Sequence, residues 1–380
     1  MRIGAAGGSA QFPTLPASRR RMRVARSAKL RSGGVIGAFM SNPAFTPIPD
    51  DQMEWIMKME SIFFPVARRQ REKHYNAQPS SLRADPAKFV HYTSADAALK
   101  IISSKSMWMR NTLAMVDYRE VQHGFDILQS FFVEPANMQE FTDALDATHP
   151  GVAQQAVTHF DQQWPTIRAH TYIASISEHY SSEDYHGRLS MWRAFGGNVP
   201  RVAIVFKLPW ETTGGIALNL LFSPAAYLAK AEAHAVIREV IANIKGNVAF
   251  LGNQDRNTVV RYIFEMLLAA VTCLKHEGFL EEREWRAIYS PFLNPSALMQ
   301  PSTQVVSGTP QVVYSIPLDK AVDAVLSELD FARIFDRLII GPTPYGFPIQ
   351  EALVAELKKA GVAPATAENS VFISGIPIRA

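Results

Sequence analysis

Four short stretches of this chain carry residue types that do chemistry. The first is Lys88-Phe89-Val90-His91-Tyr92-Thr93-Ser94, an apolar run bearing a histidine and a tyrosine that meets a Thr-Ser pair. Such a pair is a good N-cap for the apolar-periodic Ala97-Ala98-Leu99-Ile101-Ile102 that follows, so the spacing predicts a strand delivering His91 to a strand-to-helix turn. There a polar ring can meet a ligand held by the free N–H groups of the helix. The second is Ser175-Ile176-Ser177-Glu178, whose two hydroxyls share a strand face because their spacing is two. The third is Met191-Trp192-Arg193-Ala194-Phe195-Gly196-Gly197, two aromatics and a cation beside a glycine turn. The fourth is Glu281-Glu282-Arg283-Glu284-Trp285-Arg286, where Glu282 and Glu284 share a face if the strand has begun by then.

Each stretch also has a plain structural reading. His91 suits a half-buried position in which a backbone carbonyl satisfies the ring. Trp192, Phe195 and Trp285 suit a core, and Glu282 and Glu284 suit ion pairs with Arg283 and Arg286 on an exposed edge strand. Arg193 suits an anion such as phosphate, or a partner in Asp117 or Glu120. The sequence holds no GxGxxG, P-loop, GxSxG or HExxH pattern. His179 and His186, near Glu183 and Asp184, are the only local histidine cluster, and that composition suits a solvated loop better than a metal site. No metal is expected.

The elements that must position these residues read as follows. Asp51 opens a helix with Glu54 three residues on as a capping box and Trp55, Ile56, Met59 and Ile62 as its apolar stripe. Arg68-Arg69-Gln70-Arg71-Glu72-Lys73 reads as a solvated face. After the His91 strand and its helix comes a strand at 106–110. Helical pattern then runs from 119 to 169, broken near Glu134-Pro135 and His149-Pro150-Gly151. Strands follow at 171–177 and 202–206, helices near 226–245 and 257–276, and strands at 285–289 and 311–315. A helix near 318–328, a strand at 337–341, a helix near 348–360 and a strand at 371–374 complete the chain. Strand clusters separated by long helical blocks predict an α+β fold, a mixed central sheet with large helical insertions.

Composition bounds the rest. The chain has 380 residues, 47% of them apolar, and a net charge of +3. Residues 1–45 hold seven Arg, one Lys and no acid, so the remainder carries −5 and shows no basic face for general nucleic-acid binding. Those first 45 residues read as a basic disordered tail, or as translation assigned too far upstream with Met40 as the true start; residues 46–380 read as one domain. The lone Cys273 rules out an internal disulfide and suits a small core position. The helical pattern around it is interrupted by Arg261 and Glu265 and is too short to span a membrane. A cytoplasmic protein with no membrane partner is the expectation.

The ordered series of motifs resembles the bacterial DUF2971 family, a domain of unknown function. The likeness rests on His91-Tyr92-Thr93-Ser94, the Asp117 to Glu120 segment, the Ser175 to Glu178 and Met191-Trp192 loop, and Glu282-Arg283-Glu284-Trp285-Arg286. It continues through Ile339-Ile340-Gly341-Pro342 and Ser374-Gly375-Ile376-Pro377, about residues 88–379 in all. A weaker likeness is to ADP-ribosyltransferases, which place a His or Arg on a first strand, a Ser or Thr and an aromatic on middle strands, and a catalytic Glu on a late strand. That resemblance implies NAD as substrate and a role in toxin or defence. Glu284 would stabilise the oxocarbenium-like centre formed as the nicotinamide–ribose bond breaks, as a carboxylate does in glycoside cleavage. His91 would hold a ribose hydroxyl or the amide, and Glu282 would position the acceptor, whether protein, nucleic acid or water. Tyr92, Thr93, Ser175, Ser177, Trp192, Arg193 and Phe195 would line the cofactor. Phe195 keeps a ring but lacks the hydroxyl such enzymes favour at the stacking position; Tyr92 or Tyr118 are the substitutes. The alternative is a non-catalytic regulatory domain that binds a nucleotide or a partner protein.

Overall fold

Apolar residues at alternate positions build the strands here, and Pro and Gly punctuate the helices. The computed structural model describes residues 48–76, 85–115, 120–194, 199–306 and 308–377. The expected tail, Asp117, Tyr118 and Phe195 lie outside the described residues.

Helices α1 (Asp50–Phe63) and α2 (Pro65–His74) come first. Strand β1 (Ala87–Ser94) runs into α3 (Ala95–Ser104) and returns as β2 (Ser106–Asn111). Helices α4 (Glu120–Phe132), α5 (Pro135–Asp146) and α6 (Val152–His170) precede β3 (Tyr172–Glu178). Then follow α7 (Leu189–Ala194), β4 (Arg201–Leu208), α8 (Thr213–Ala217), β5 (Leu221–Pro224) and β6 (Ala226–Tyr227). Next come α9 (Lys230–Gly246), α10 (Val248–Gly252), α11 (Arg256–Thr272), β7 (Leu274–Lys275), β8 (Glu284–Tyr289), β9 (Gln300–Val306) and β10 (Thr309–Pro317). The chain closes with α12 (Phe331–Ile334), β11 (Phe335–Ile340), α13 (Gly346–Lys359), α14 (Pro364–Asn369) and β12 (Val371–Ile373).

The expected α+β class with a mixed central sheet is what the fold shows. Ten strands form one sheet, ordered β12-β11-β4-β1-β3-β2-β10-β9, with β8 on β3 and β5 on β8. Only β11 and β12 run parallel within it. One face, carrying Phe89, Ile176, Ile204 and Trp285, packs into a large core with α3 and α13. A second core of similar size, with Phe125, Phe160, Ile244 and Leu267, joins α1, α4, α5, α6, α9 and α11.

The sheet is split at β3. One edge of β3 pairs with β8 from Tyr172 to Ser177. The other pairs with β2 only at Tyr172 and Ile173, and with β1 only at Ser177 and Glu178. Ala174, Ser175 and Ile176 thus face a gap where β1 and β2 part, and the carbonyls there need partners from outside the ladder.

Several expectations need correction. Helix α1 starts at Asp50 behind Pro49 and has no side-chain cap, so the Asp51–Glu54 capping box does not form; Asp50 and Asp51 instead sit in the first turn, where the helix dipole favours acids. The helix expected at 318–328 is a short 3-10 turn (Ala324–Glu328) followed by α12. The helix expected to reach 276 stops at Thr272, which releases Lys275 onto β7. Strand β9 escapes sequence reading because Gln300–Val306 is a mostly exposed, polar edge without an apolar alternation.

Candidate functional site

Strand β1 delivers His91 as expected, and Ser94 caps α3 by accepting from the Ala97 N–H at 3.2 Å. His91, however, lies three residues before that cap and fills the split in the sheet. Its Nδ1 donates to the Ser175 carbonyl at 3.0 Å, one of the groups the gap leaves without a ladder partner. A carbonyl only accepts, so Nδ1 carries the proton. Burial lowers the ring's pKa against the opposing effect of that bond, which keeps the imidazole neutral.

Ser175 is a junction. Its hydroxyl donates to Glu284 Oε1 at 2.5 Å while its carbonyl holds His91. Glu284 is itself enclosed. Arg286 forks onto both of its oxygens at 3.0 Å each, and Lys275 Nζ reaches Oε2 at 2.9 Å. Burial alone would raise the carboxyl's pKa, but Arg286 and then Lys275 hold it down to about 2. The edge-strand expectation for this residue is therefore wrong: β8 has neighbours on both sides, and Glu284 is 5% exposed. Glu282 is not on the strand. It ends the 3-10 turn Glu277–Glu282, and Arg283 between the two acids takes a left-handed conformation with φ 43°. The two carboxylates still meet, because Lys275 Nζ donates to Glu282 Oε2 at 2.7 Å as well.

By strand alternation His91 rises from the face of Phe89 and Ile204, opposite its register partner in β4, and Glu284 from the other face beside Arg286. Thr93 shares the His91 face and Ser177 the Glu284 face. The ring and the carboxylate touch the same residue from two sides.

The aromatics do not converge on this point. Trp192 is 5% exposed, stands edge-on to Tyr92 at 4.8 Å, and donates Nε1 to the His186 carbonyl at 2.8 Å. Tyr92 accepts from the Arg188 N–H. Both belong to a small core with Val90, Val205 and Ile339. Arg193 is exposed.

Around them runs an ionic network that sequence reading missed. The loop after β3 is built, not solvated: Arg188 donates to Glu183 at 3.0 Å and to the carbonyls of Glu178, Glu281 and Glu282. His179 is buried and bonded to Asp184 at 2.9 Å. Glu178 accepts from Gln70, Tyr180 and Trp285 Nε1 at 2.5, 2.7 and 3.0 Å. No group of three metal-ligating side chains occurs among the described residues. All four chemistry-bearing stretches thus meet, but mostly by binding each other.

A second place has more room. A cleft of about 1110 Å³ opens between α1, α6 and α11 on one side and β5, β8 and the loop around Glu211 on the other. Glu60, Glu211, Glu265, Arg261 and Tyr262 line it; neither His91 nor Glu284 does. Behind it Arg71, expected on a solvated face, is 2% exposed, ion-paired to Glu60 at 3.2 Å and stacked 3.9 Å over the Trp210 ring. Burial raises Glu60 to about 7, with Arg71 opposing. Burial, and then the charge of Glu60, raises Glu211 to about 8. Sequence gave no sign of this site because its residues come from separate segments and none is of an unusual type.

No family model matches the chain, and neither a curated protein nor a solved structure matches it significantly. Among the described residues, no helix is long and apolar enough to cross a membrane.

Proposed function

We propose that the protein is a non-catalytic, regulatory ligand-binding domain of the cytoplasm, with the cleft between the helical layer and the sheet as its binding site. One observation carries the reading: both oxygens of Glu284, the best candidate catalyst, are occupied by Arg286, Lys275 and Ser175 of the same chain. A carboxylate neutralised by two buried cations has little field left for a developing positive charge. The cleft, by contrast, has the size of a small-molecule site and perturbed titratable groups on its walls. Membership of DUF2971 belongs to the same proposal, supported by the meeting of three of its motifs, at His91, Ser175 to Glu178 and Glu282 to Arg286, around β3 and β8.

A second reading, an NAD-dependent ADP-ribosyltransferase or NAD-cleaving enzyme, has in its support that His91 and Glu284 both bond to Ser175, and against it that their side chains leave opposite faces of the sheet. In it Glu284 is catalytic, assisted by Glu282 and His91, and the acceptor is a protein, a nucleic acid or water. Nicotinamide release from NAD by the purified chain, with cell lysate supplied as acceptor, separates the two. The binding reading expects none. Release that falls about 100-fold in Glu284→Gln, the loss typical of a principal electrostatic group, would overturn it.

A further inference from the structure

We infer that the cleft binds a small organic polycation of the polyamine class. The inference rests on the reading of the cleft as the binding site and names what it takes.

Charge is the first argument. The side chains lining the cleft include three carboxylates, Glu60, Glu211 and Glu265, against one guanidinium, Arg261. Arg261 is 3.5 Å from Glu265 and offsets it. Glu60 and Glu211 share the single buried Arg71, so one carboxylate of that pair lacks a counter-ion. The second argument is unmet hydrogen bonding. Ser290 is 8% exposed, lines the cleft, and its Oγ has no partner. Glu60 Oε2 is likewise buried without a hydrogen bond, its contact with Arg71 lacking the geometry for one. Buried acceptors without donors are costly, and an ammonium group supplies three. The third argument is the rest of the wall. Gln154, Thr158 and Gln162 lie four residues apart along one face of α6, offering oxygens to further amines. Tyr262 and Phe64 line the cleft and stand 6.3 Å apart, an aromatic surface of the kind that attracts cations.

Among the described residues, these charged and titratable groups face the pair. Arg68, Arg71 and Glu72 lie on α2, Arg261, Tyr262 and Glu265 on α11, and Tyr75 follows α2. Among the described residues Arg71 is the one cation that acts on both carboxylates, and Arg68, which also acts on Glu60, is paired with Glu72. A bound ammonium would be a second, and would drive off the proton that the pair holds near neutral pH.

The test is calorimetric titration of spermidine into the full chain at pH 7.5, in two buffers of different ionisation enthalpy. One molecule should bind with net proton release. Glu211→Gln should weaken binding about tenfold or more and remove most of that release. Gln154→Lys, an exposed substitution that leaves the core untouched, should weaken binding by repulsion even if the first variant fails to fold. Equal affinity for spermidine in wild type and both variants would overturn the inference. So would binding of AMP, NAD or a neutral sugar, lost in Gln154→Lys, with no binding of spermidine; the cleft would then stand as a binding site for another class. If no probe binds, both the inference and the binding reading fall.

Discussion

Glu284→Gln removes one negative charge from a buried and tightly held carboxylate. The side chain is 6% exposed, and its partners Arg286 and Lys275 are 1% and 8% exposed. Glutamine has the same shape and still accepts from Ser175, but it leaves two cations facing each other in a buried site. Breaking a buried pair in this way costs about 3–5 kcal/mol. The carboxyl's pKa supports the lower end: held at about 2 against an ordinary 4.5, it contributes about 3 kcal/mol at neutral pH. For a domain of this size each kcal/mol lowers the melting temperature by roughly 2 °C, so a fall of about 6–10 °C is expected in a calorimetric scan at pH 7. Adding Lys275→Met, which removes the surplus cation, should recover part of the loss. A carboxylate kept in place for catalysis behaves differently, since its removal commonly leaves stability unchanged or raised. A Glu284→Gln protein melting at or above the wild-type temperature would refute the structural account and restore this residue as the leading catalyst.

Three further perturbations test other parts of the fold. Glu284 and Asp336 both have pKa values depressed to about 2, so their stabilisation is complete above the unfolded-state values of 4.5 and 3.8 and is lost as pH falls toward 2. Glu60 and Glu211 act in the opposite sense: raised to about 7 and about 8, they lose stability as pH climbs from about 4.5 through those values. Urea midpoints should therefore peak at mildly acidic pH, and a midpoint that is flat from pH 8 to pH 2.5 would contradict both assignments. Gly124→Ala places a methyl 2.7 Å from the Val271 carbonyl where α4 crosses α11, which should cost about 1–3 kcal/mol in the same urea assay. Gly246→Ala meets only open space and should be neutral or mildly stabilising; equal effects at the two positions would mean that this crossing is looser than described.

The strands were legible because burial leaves an alternating imprint: 171–177, 202–206 and 337–341 were each placed within two residues of β3, β4 and β11. The helical block was legible through its breakers, Pro135 and Gly151. What failed depends on partners far away in sequence. Arg71 and Gln70 sit in a run that looks solvated, yet one is buried over Trp210 and the other reaches Glu178. Lys275 was hidden in an overextended helix, and only its placement on β7 shows that Glu282 and Glu284 share a cation. The site suffers from the same limit in sharper form. A His, a Ser and a Glu in the right order suit an enzyme, and they suit equally well a split sheet that needs its carbonyl capped and its buried charges paired. Sequence order cannot separate these, because both uses demand the same residue types. The separating fact is occupancy: each oxygen of Glu284 already has a donor from its own chain, whereas in the cleft Ser290 Oγ has no hydrogen-bond partner and Glu60 Oε2 has only the ion-pair contact with Arg71. The cleft is thus where a buried polar group stays open to a partner from outside the chain.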